Sequence, residues 1–418
     1  MPRQIPLHRL AGELRDGERV YLAGASGEAT GFVDVLTSQR QFDKSIELIT
    51  TFVPGINVVP IDELPERIRV TGLFMHANLA AAQRSGRFRH LPLSYSGFTH
   101  FAQQRLKIDV SVFQVSPPDA RGLCSLGPAV EFAPVVHARS ARRMAICNPN
   151  VPRIPDAVTL PYADFDAVCE SDAPLRSYSA GASNPTLTAI AACIAGFVED
   201  GATLQVGLGK VPNALFDLLH DRRGLRIHSG MLSDPVMQLA ASGALDPDAA
   251  MTTCVVVGSD ALYRWSAQCD RLSVRGCDET HAARVLHGIE RFVSVNSALE
   301  VDLFGQCNLE LADGHAISGV GGAADFALAG HLSRGGLSIV ALPASSGKLA
   351  VSRIVARLGE KAVTSLPRDI VDVVVTEHGA ADLRGKSVHE RAEALIGISD
   401  PKFRNGLIQD WRAITSVL

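Results

Sequence analysis

With 418 residues, a formal net charge of −4, 46% apolar and 20% charged side chains, the chain is a globular protein long enough to fill two α/β cores. The slightly acidic balance argues against a nucleic-acid binder or a protein held to an anionic membrane surface, both of which carry a basic excess. A local cationic run, "RSARRM" (139–144), reads as a solvated surface before it reads as a seat for an anionic cofactor tail. No run of about 18 apolar residues occurs, and the N-terminal "MPRQIPLHRLAGELRDGERV" lacks the apolar core of a secretory signal. The eight cysteines (124, 147, 169, 193, 254, 269, 277 and 307) form no Cys-x-x-Cys pair, and no His-rich motif follows them. The expectation is a cytoplasmic protein with free thiols, no metal and no membrane span.

Along the chain, one opening is used twice. "LAGELRDGERVYLAG" (10–24) resembles "IAGFVEDGATLQVGL" (194–208): a helix end, an Asp-Gly turn at Asp16-Gly17 or Asp200-Gly201, then an apolar strand. A small-residue loop follows in each case, "AGASGEATG" or "GLGKVPNAL", then a helical pattern, "FVDVLTSQ" or "NALFDLLHD", then a second strand, "SIELITTF" or "GLRIHSGM". Two β-α-β openings predict two related parallel-sheet α/β domains, and laying the second strands end to end puts Gly230 opposite Thr51. "KIDVSVFQVSPPD" reads as a first-half strand stopped by a Pro-Pro turn. "ESDAPLRSYSAGASNPTL" (170–187) reads as a linker, which divides the chain into 1–180 and 181–418. Beyond it, "RFVSVNSALEVDLFG" and "IVDVVVTEHG" read as strands and "HERAEALIGI" as a helix with Ala392, Leu395 and Ile396 inward.

Several stretches suit a ligand, each with a plainer reading beside it. In "QVGLGKVPNAL", Gly207 and Gly209 end a strand and Pro212 sits where a helix begins, which turns backbone N–H groups toward an anion or simply makes a tight turn. Pro212 also takes the third-glycine place of a dinucleotide fingerprint, so a nicotinamide dehydrogenase is excluded. "SGVGGAADF" withholds side chains at Gly319, Gly321 and Gly322, as for a close ligand or a crowded turn. Lys348 in "LPASSGKLAVSRIV" is placed to neutralise a phosphate or to be solvated. Glu377 in "VTEHGAADLRG" stands at a strand end, where α/β ligands bind or where a carboxylate caps a helix. Glu300 in "SALEVDLFG" is inert if solvent-facing, and His228 in "LRIHSGMLSD" is more simply a hydrogen-bonded core histidine than an acid/base group.

In this order, "VSPPDARGLCSLG", "EDGATLQVGLGKVPNAL", "LRIHSGMLSD", "NSALEVDLFGQ", "ISGVGGAADF", "VVTEHGAADLRGKSVHERAEALI" and "DPKFR" resemble the acetyl-CoA hydrolase/transferase family from about residue 10 to the C-terminus. That family includes the 4-hydroxybutyrate, itaconate, butyrate and succinate:acetate CoA-transferases. The resemblance implies a class I CoA-transferase fold with the active site between two α/β halves, coenzyme A as part of the substrate, a small carboxylic acid as partner, and a homodimer. It implies that Gly207, Leu208, Gly209, Lys210 and Val211, the cluster Gly319, Gly321 and Gly322, and Lys348 contact coenzyme A, and that Glu377 is an active-site glutamate, with His378 where Tyr or Gln is usual.

A second position departs from the family, and it carries more chemistry. Where relatives read like "GIHSEM", with a glutamate that attacks the acyl-CoA and then carries CoA as a glutamyl thioester, this chain reads "RIHSGM". Gly230 stands in the nucleophile's place, and its loss removes a rate factor on the order of 10⁴–10⁶ in comparable covalent systems. Three readings follow. Transfer continues through another carboxylate, Glu28, Glu377 or Glu300; or the thioester is hydrolysed, decarboxylated or cleaved with His228 and Glu377 as acid/base groups; or the chain binds coenzyme A without turnover.

Overall fold

Both Asp-Gly turns form in the same way. Gly17 and Gly201 take φ values of +80° and +75°, a backbone that a Cβ would strain. Their N–H groups donate to the carbonyls of Ser45 and Arg223 at 2.7 and 2.9 Å. The Asp16 and Asp200 carboxylates accept from the N–H groups of those same two residues at 2.6 and 2.8 Å. The strands that follow, Arg19–Leu22 and Thr203–Val206, pair in parallel with Ile46–Thr50 and Arg226–Leu232 through the helices Thr30–Ser38 and Lys210–Asp217. Arg19 faces Glu47 and Thr203 faces Arg226, so the same step along each second strand arrives at Thr51 and at Gly230. The register of the repeat is the register of the sheets.

The computed structural model describes residues 1–39, 41–346 and 351–417. Among them, the first half builds an eight-stranded parallel sheet in the order Arg3–Gln4, Ala167–Glu170, Ser140–Cys147, Ile108–Val115, Arg19–Leu22, Ile46–Thr50, Ile68–Gly72, Phe88–His90. The second half builds a nine-stranded sheet in the order Gly379–Asp382, Val373–Thr376, Leu337–Ala341, Phe292–Ser297, Thr203–Val206, Arg226–Leu232, Met251–Val256, Leu272–Val274, Asp156–Ala157. Two details refine the expected pair of parallel sheets. Gly379–Asp382 runs antiparallel, because only Glu377 and His378 separate it from Val373–Thr376 and a parallel return needs a long crossover. Asp156–Ala157 comes from the first half of the chain but pairs with Leu272–Val274 at the edge of the second sheet. Residues 171–184 hold no regular element, and Asn184 opens the helix Pro185–Ala195 by accepting from Leu187 N–H at 2.9 Å.

Strand alternation sorts the side chains into layers. Val20 and Leu22, Val110 and Val112, Met144 and Ile146 face a core shared with Leu10, Phe32 and Leu36. Their alternate neighbours, Tyr21, Phe113 and Ala145, join Ile227, Val255 and Ile339 in one core that runs across both halves. Val340 and Val374 face a third core capped by Leu395 and Trp411. The central core fixes one half on the other, and the carboxyl ends of strands from both sheets meet along that seam. No helix among the described residues is long and apolar enough to cross a membrane.

Candidate active site

A cleft of about 360 Å³ opens on this seam. The first half contributes Val53, Pro54, Phe74 and Tyr95 and the connecting segment Tyr178. The second half contributes Gly207 and Leu208, Gly230, His281, Asn296 with Ser297, and the stretch 318–323. Most of these follow the carboxyl ends of parallel strands, where ligands of α/β proteins bind. A larger groove of about 690 Å³ lies at the opposite, amino ends of the first sheet. Of its four arginines, Arg19, Arg67, Arg69 and Arg89, Arg19 and Arg89 are paired with Glu47 at 3.0 and 3.3 Å.

Gly230 lies in the cleft wall, and the space beside its Cα is bounded by His281 and Phe326. A Cβ at 230 would stand 3.3 Å from His281 Nε2 and 3.3 Å from Phe326, and a Cβ at Gly322 would stand 2.6 Å from the same Nε2. The imidazole is seated on two bare peptides and held between the rings of Tyr95 and Phe326, at centroid distances of 4.9 and 4.6 Å. Thr280 Oγ1 lies 3.1 Å from the Gly276 carbonyl and 2.9 Å from His281 Nδ1. The hydroxyl has one hydrogen and the carbonyl only accepts, so both contacts are hydrogen bonds when the proton of His281 is on Nδ1. Nε2 then carries a lone pair, and it has no hydrogen-bond partner among the described residues. Burial, with a smaller push from His228, lowers the His281 pKa to about 3, so the ring is neutral at pH 7.

The glycine cluster has divided duties. Gly319 is a packing glycine: a Cβ there would be 2.2 Å from the Leu73 carbonyl oxygen of the other half. Tyr95 N–H donates to the Gly321 carbonyl at 3.0 Å and Met75 N–H to that of Ser318 at 3.1 Å. Gly322 precedes the helix Ala323–Leu332, whose N-terminus therefore opens on the cleft. Of the other loop, Gly207 and Leu208 line the cleft, while Gly209, Lys210 and Val211 enter the helix behind it, with Lys210 exposed. Lys348 lies outside the described residues. Asn296 adds a buried donor, Nδ2, without a partner among them.

The carboxylates singled out in the sequence stand elsewhere. Glu28 is 1% exposed, held by Arg176 at 2.7 and 2.8 Å and by Asn57 at 2.5 Å, and does not line the cleft. Glu377 accepts from Ala344 N–H at 2.8 Å at the strand end, and Glu300 from Asn308 Nδ2 at 3.1 Å. His228 sits behind the wall, its Nε2 2.8 Å from the Thr280 carbonyl, with burial lowering its pKa. Of the "RSARRM" run, Arg142 is paired with Glu18 at 2.6 Å and Arg143 Nε donates to the His137 carbonyl at 2.8 Å. No Asp or Glu among the described residues lines the cleft. His281 and Asn296 were not singled out in the sequence. The available signals were the four-residue step from Cys277 to His281, which puts both on one helix face, and the polar pair closing the strand Phe292–Ser297.

Asp325 latches the cleft. From the helix Ala323–Leu332 it accepts from Ser96 N–H at 3.0 Å, Ser96 Oγ at 2.5 Å and Ser94 Oγ at 3.2 Å, across to the start of the helix Tyr95–Gln104. Asp325→Ala is expected to cost about 2–3 kcal/mol in urea unfolding, because it leaves half-buried donors unpaired, and Asp325→Asn to cost less.

Two family models match the chain: the acetyl-CoA hydrolase/transferase N-terminal domain over residues 3–174 and the C-terminal domain over 258–411. The 4-hydroxybutyrate coenzyme A transferase of Clostridium kluyveri is 32% identical over 416 residues, covering 98% of this chain and 97% of the relative. The succinyl-CoA:cyclohexane-1-carboxylate CoA transferase of Geobacter metallireducens is 29% identical, covering 97% and 94%. Among solved structures, RipA from Yersinia pestis superposes with a TM-score of 0.92 at 25% identity over 99% of this chain and 98% of that one. A 4-hydroxybutyrate CoA-transferase from Porphyromonas gingivalis does so at 0.81 and 26%, over 98% and 97%.

Proposed function

Because the chain belongs to the acetyl-CoA hydrolase/transferase family, we propose that it transfers coenzyme A from an acyl-CoA to a carboxylic acid in the cleft beside Gly230, with the incoming acid's own carboxylate as the nucleophile. The observation that carries this reading is the lack of any acidic side chain among the described residues that line the cleft, combined with the bare peptide at 230. On this reading no protein carboxylate stands in for the glutamate that the family's chemistry calls for, and the incoming acid supplies the carboxylate from the open side of the cleft, away from His281 and Phe326.

The chemistry balances without a covalent enzyme intermediate. A carboxylate oxygen of the acceptor attacks the thioester carbonyl, the C–S bond breaks, and the thiolate leaves with the electron pair. The two acids are then joined as a mixed anhydride. The thiolate attacks the acceptor's carbonyl, the anhydride C–O bond breaks, and the donor acid leaves as its carboxylate; no proton is consumed. The N-terminus of the helix Ala323–Leu332, the bare peptides from Gly319 to Gly322 and Asn296 Nδ2 supply dipoles for the charge on both carbonyl oxygens. The walls of Phe74, Tyr95, Tyr178 and Phe326 keep water from the anhydride.

The coenzyme A tail is assigned to Gly207–Val211 and Lys348, and the halves are divided near residue 180. The same reading places the enzyme in a reducing cytoplasm, where its eight cysteines stay out of disulfides, and as a homodimer. Initial-rate kinetics with an acyl-CoA panel and acetate or succinate test the proposal. Intersecting double-reciprocal lines are expected, with no free CoA and no enzyme-bound CoA when the donor is given alone. Parallel lines with a hydroxylamine-sensitive CoA adduct, or thioester hydrolysis without an acceptor, would overturn it.

A further inference from the structure

Behind Gly230, the fold collects side chains that transfer chemistry does not use. Cys254 is on the strand Met251–Val256, and Cys277 and His281 are one helical turn apart at the short helix Cys277–Thr280. Their ligand atoms lie within 4.8 Å of one another. Both cysteines are 0% exposed and His281 is 1% exposed. Cys254 Sγ is 3.0 Å from the Gly230 carbonyl, which places the group against the cleft wall. An independent observation points to a ligand here: the buried Nε2 of His281 has no hydrogen-bond partner among the described residues. Glu131 is tied to the cluster through its backbone, its carbonyl accepting from Cys277 N–H at 2.6 Å and its N–H donating to the Cys254 carbonyl at 3.4 Å. Leaving a buried ring nitrogen unpaired costs about 1–3 kcal/mol.

We propose that Cys254, Cys277 and His281 form a binding site for one thiophilic divalent cation of the Zn²⁺ class. Two sulfurs and an imidazole are the ligand types such a cation selects over magnesium or calcium. Bonds of about 2.3 Å to sulfur and about 2.0 Å to nitrogen put tetrahedral ligand atoms roughly 3.5–3.8 Å apart, inside the 4.8 Å that bounds their present separations. The outer shell is already built. His281 Nδ1–H donates to Thr280 Oγ1, which donates to the Gly276 carbonyl, so the ring is fixed with the Nε2 lone pair available. The absence of Cβ atoms at 230 and 322 keeps that nitrogen uncovered. Three protein ligands leave a fourth position, and His281 itself lines the cleft. The sequence spacing conceals this site, because Cys254 reaches it from a different element than the Cys277–His281 turn.

The test reads metal, not CoA exchange, so its outcome is separate from that of the transfer proposal. Full-length protein is reduced, stripped with a chelator and titrated anaerobically with Co²⁺, then with Zn²⁺ in competition. One Co²⁺ per chain is expected, with thiolate-to-cobalt charge transfer in the near ultraviolet and a tetrahedral band in the visible, both erased by Zn²⁺. Cys254→Ser and Cys277→Ser should each reduce the charge transfer, and His281→Ala should weaken binding by at least about tenfold. Cys124→Ser, at a separate buried thiol, should leave the spectrum unchanged. A natural chain without charge-transfer absorption overturns the proposal whatever the variants do, as does a spectrum that survives loss of Cys254 and Cys277.

Discussion

Gly230→Glu is expected to lower stability by about 1–3 kcal/mol and to suppress acceptor-driven transfer by at least about tenfold. It should yield a glutamyl-CoA adduct only when His281 is shortened too. The stability cost is steric. A Cβ at 230 meets His281 Nε2 and Phe326 at 3.3 Å, and the imidazole cannot retreat toward Gly322, whose own Cβ position is 2.6 Å from it. The kinetic cost is electrostatic. A fixed carboxylate roughly 4 Å from an incoming one repels it by up to about 4 kcal/mol at an effective dielectric constant near 20. In Gly230→Glu/His281→Ala the ring no longer crowds the new side chain, stability is expected to recover, and the carboxylate can reach the thioester. Denaturant midpoints follow the first effect, and intact-mass spectra after mixing with acyl-CoA follow the second. An adduct in Gly230→Glu alone at full stability would show that His281 does not control this position.

That coupling also marks the limit of what the sequence discloses. The strands, both turns and the equivalence of Thr51 and Gly230 are legible because they rest on local rules: Asp-Gly turns and strand alternation. The missing nucleophile is legible because one position breaks a motif. What occupies the space is not, since His281 comes to Gly230 from an element some fifty residues later, and only the three-dimensional seam brings it there. The linker is a similar case. Its composition identifies 170–187 as a linker, of which 171–184 is irregular while Glu170 ends a strand and Pro185 to Leu187 open a helix, but it cannot reveal that Tyr178 lines the cleft or that Arg176 reaches back to the first half. Repeat symmetry with the loop at Gly207 predicts that Glu28 faces the cleft. The symmetry holds for the backbone and fails for the side chain, because Asn57 and Arg176 claim both carboxylate oxygens.

Arg176→Ala is accordingly expected to destabilise the fold by about 2–4 kcal/mol and to raise the KM for acyl-CoA. Glu28→Gln should lower stability with kcat nearly unchanged below the melting transition. The Glu28 side chain is 0% exposed and that of Arg176 is 38% exposed, so removing the arginine strands a buried carboxylate. Solvent at the arginine keeps the loss under that of a fully buried pair. The KM effect follows from position: the Arg176 carbonyl accepts from Tyr263 Oη, and Tyr178, two residues on, forms part of the cleft wall. Loosening the anchor at 176 thus loosens the wall. In Glu28→Gln/Arg176→Met neither charge remains, and the stability loss should be less than the sum of the single variants. Urea denaturation with steady-state kinetics on the three variants measures both parts. A fall in kcat on the order of 10⁴ for Glu28→Gln in a folded chain would make Glu28 the missing nucleophile and refute the ion-pair role assigned to it here.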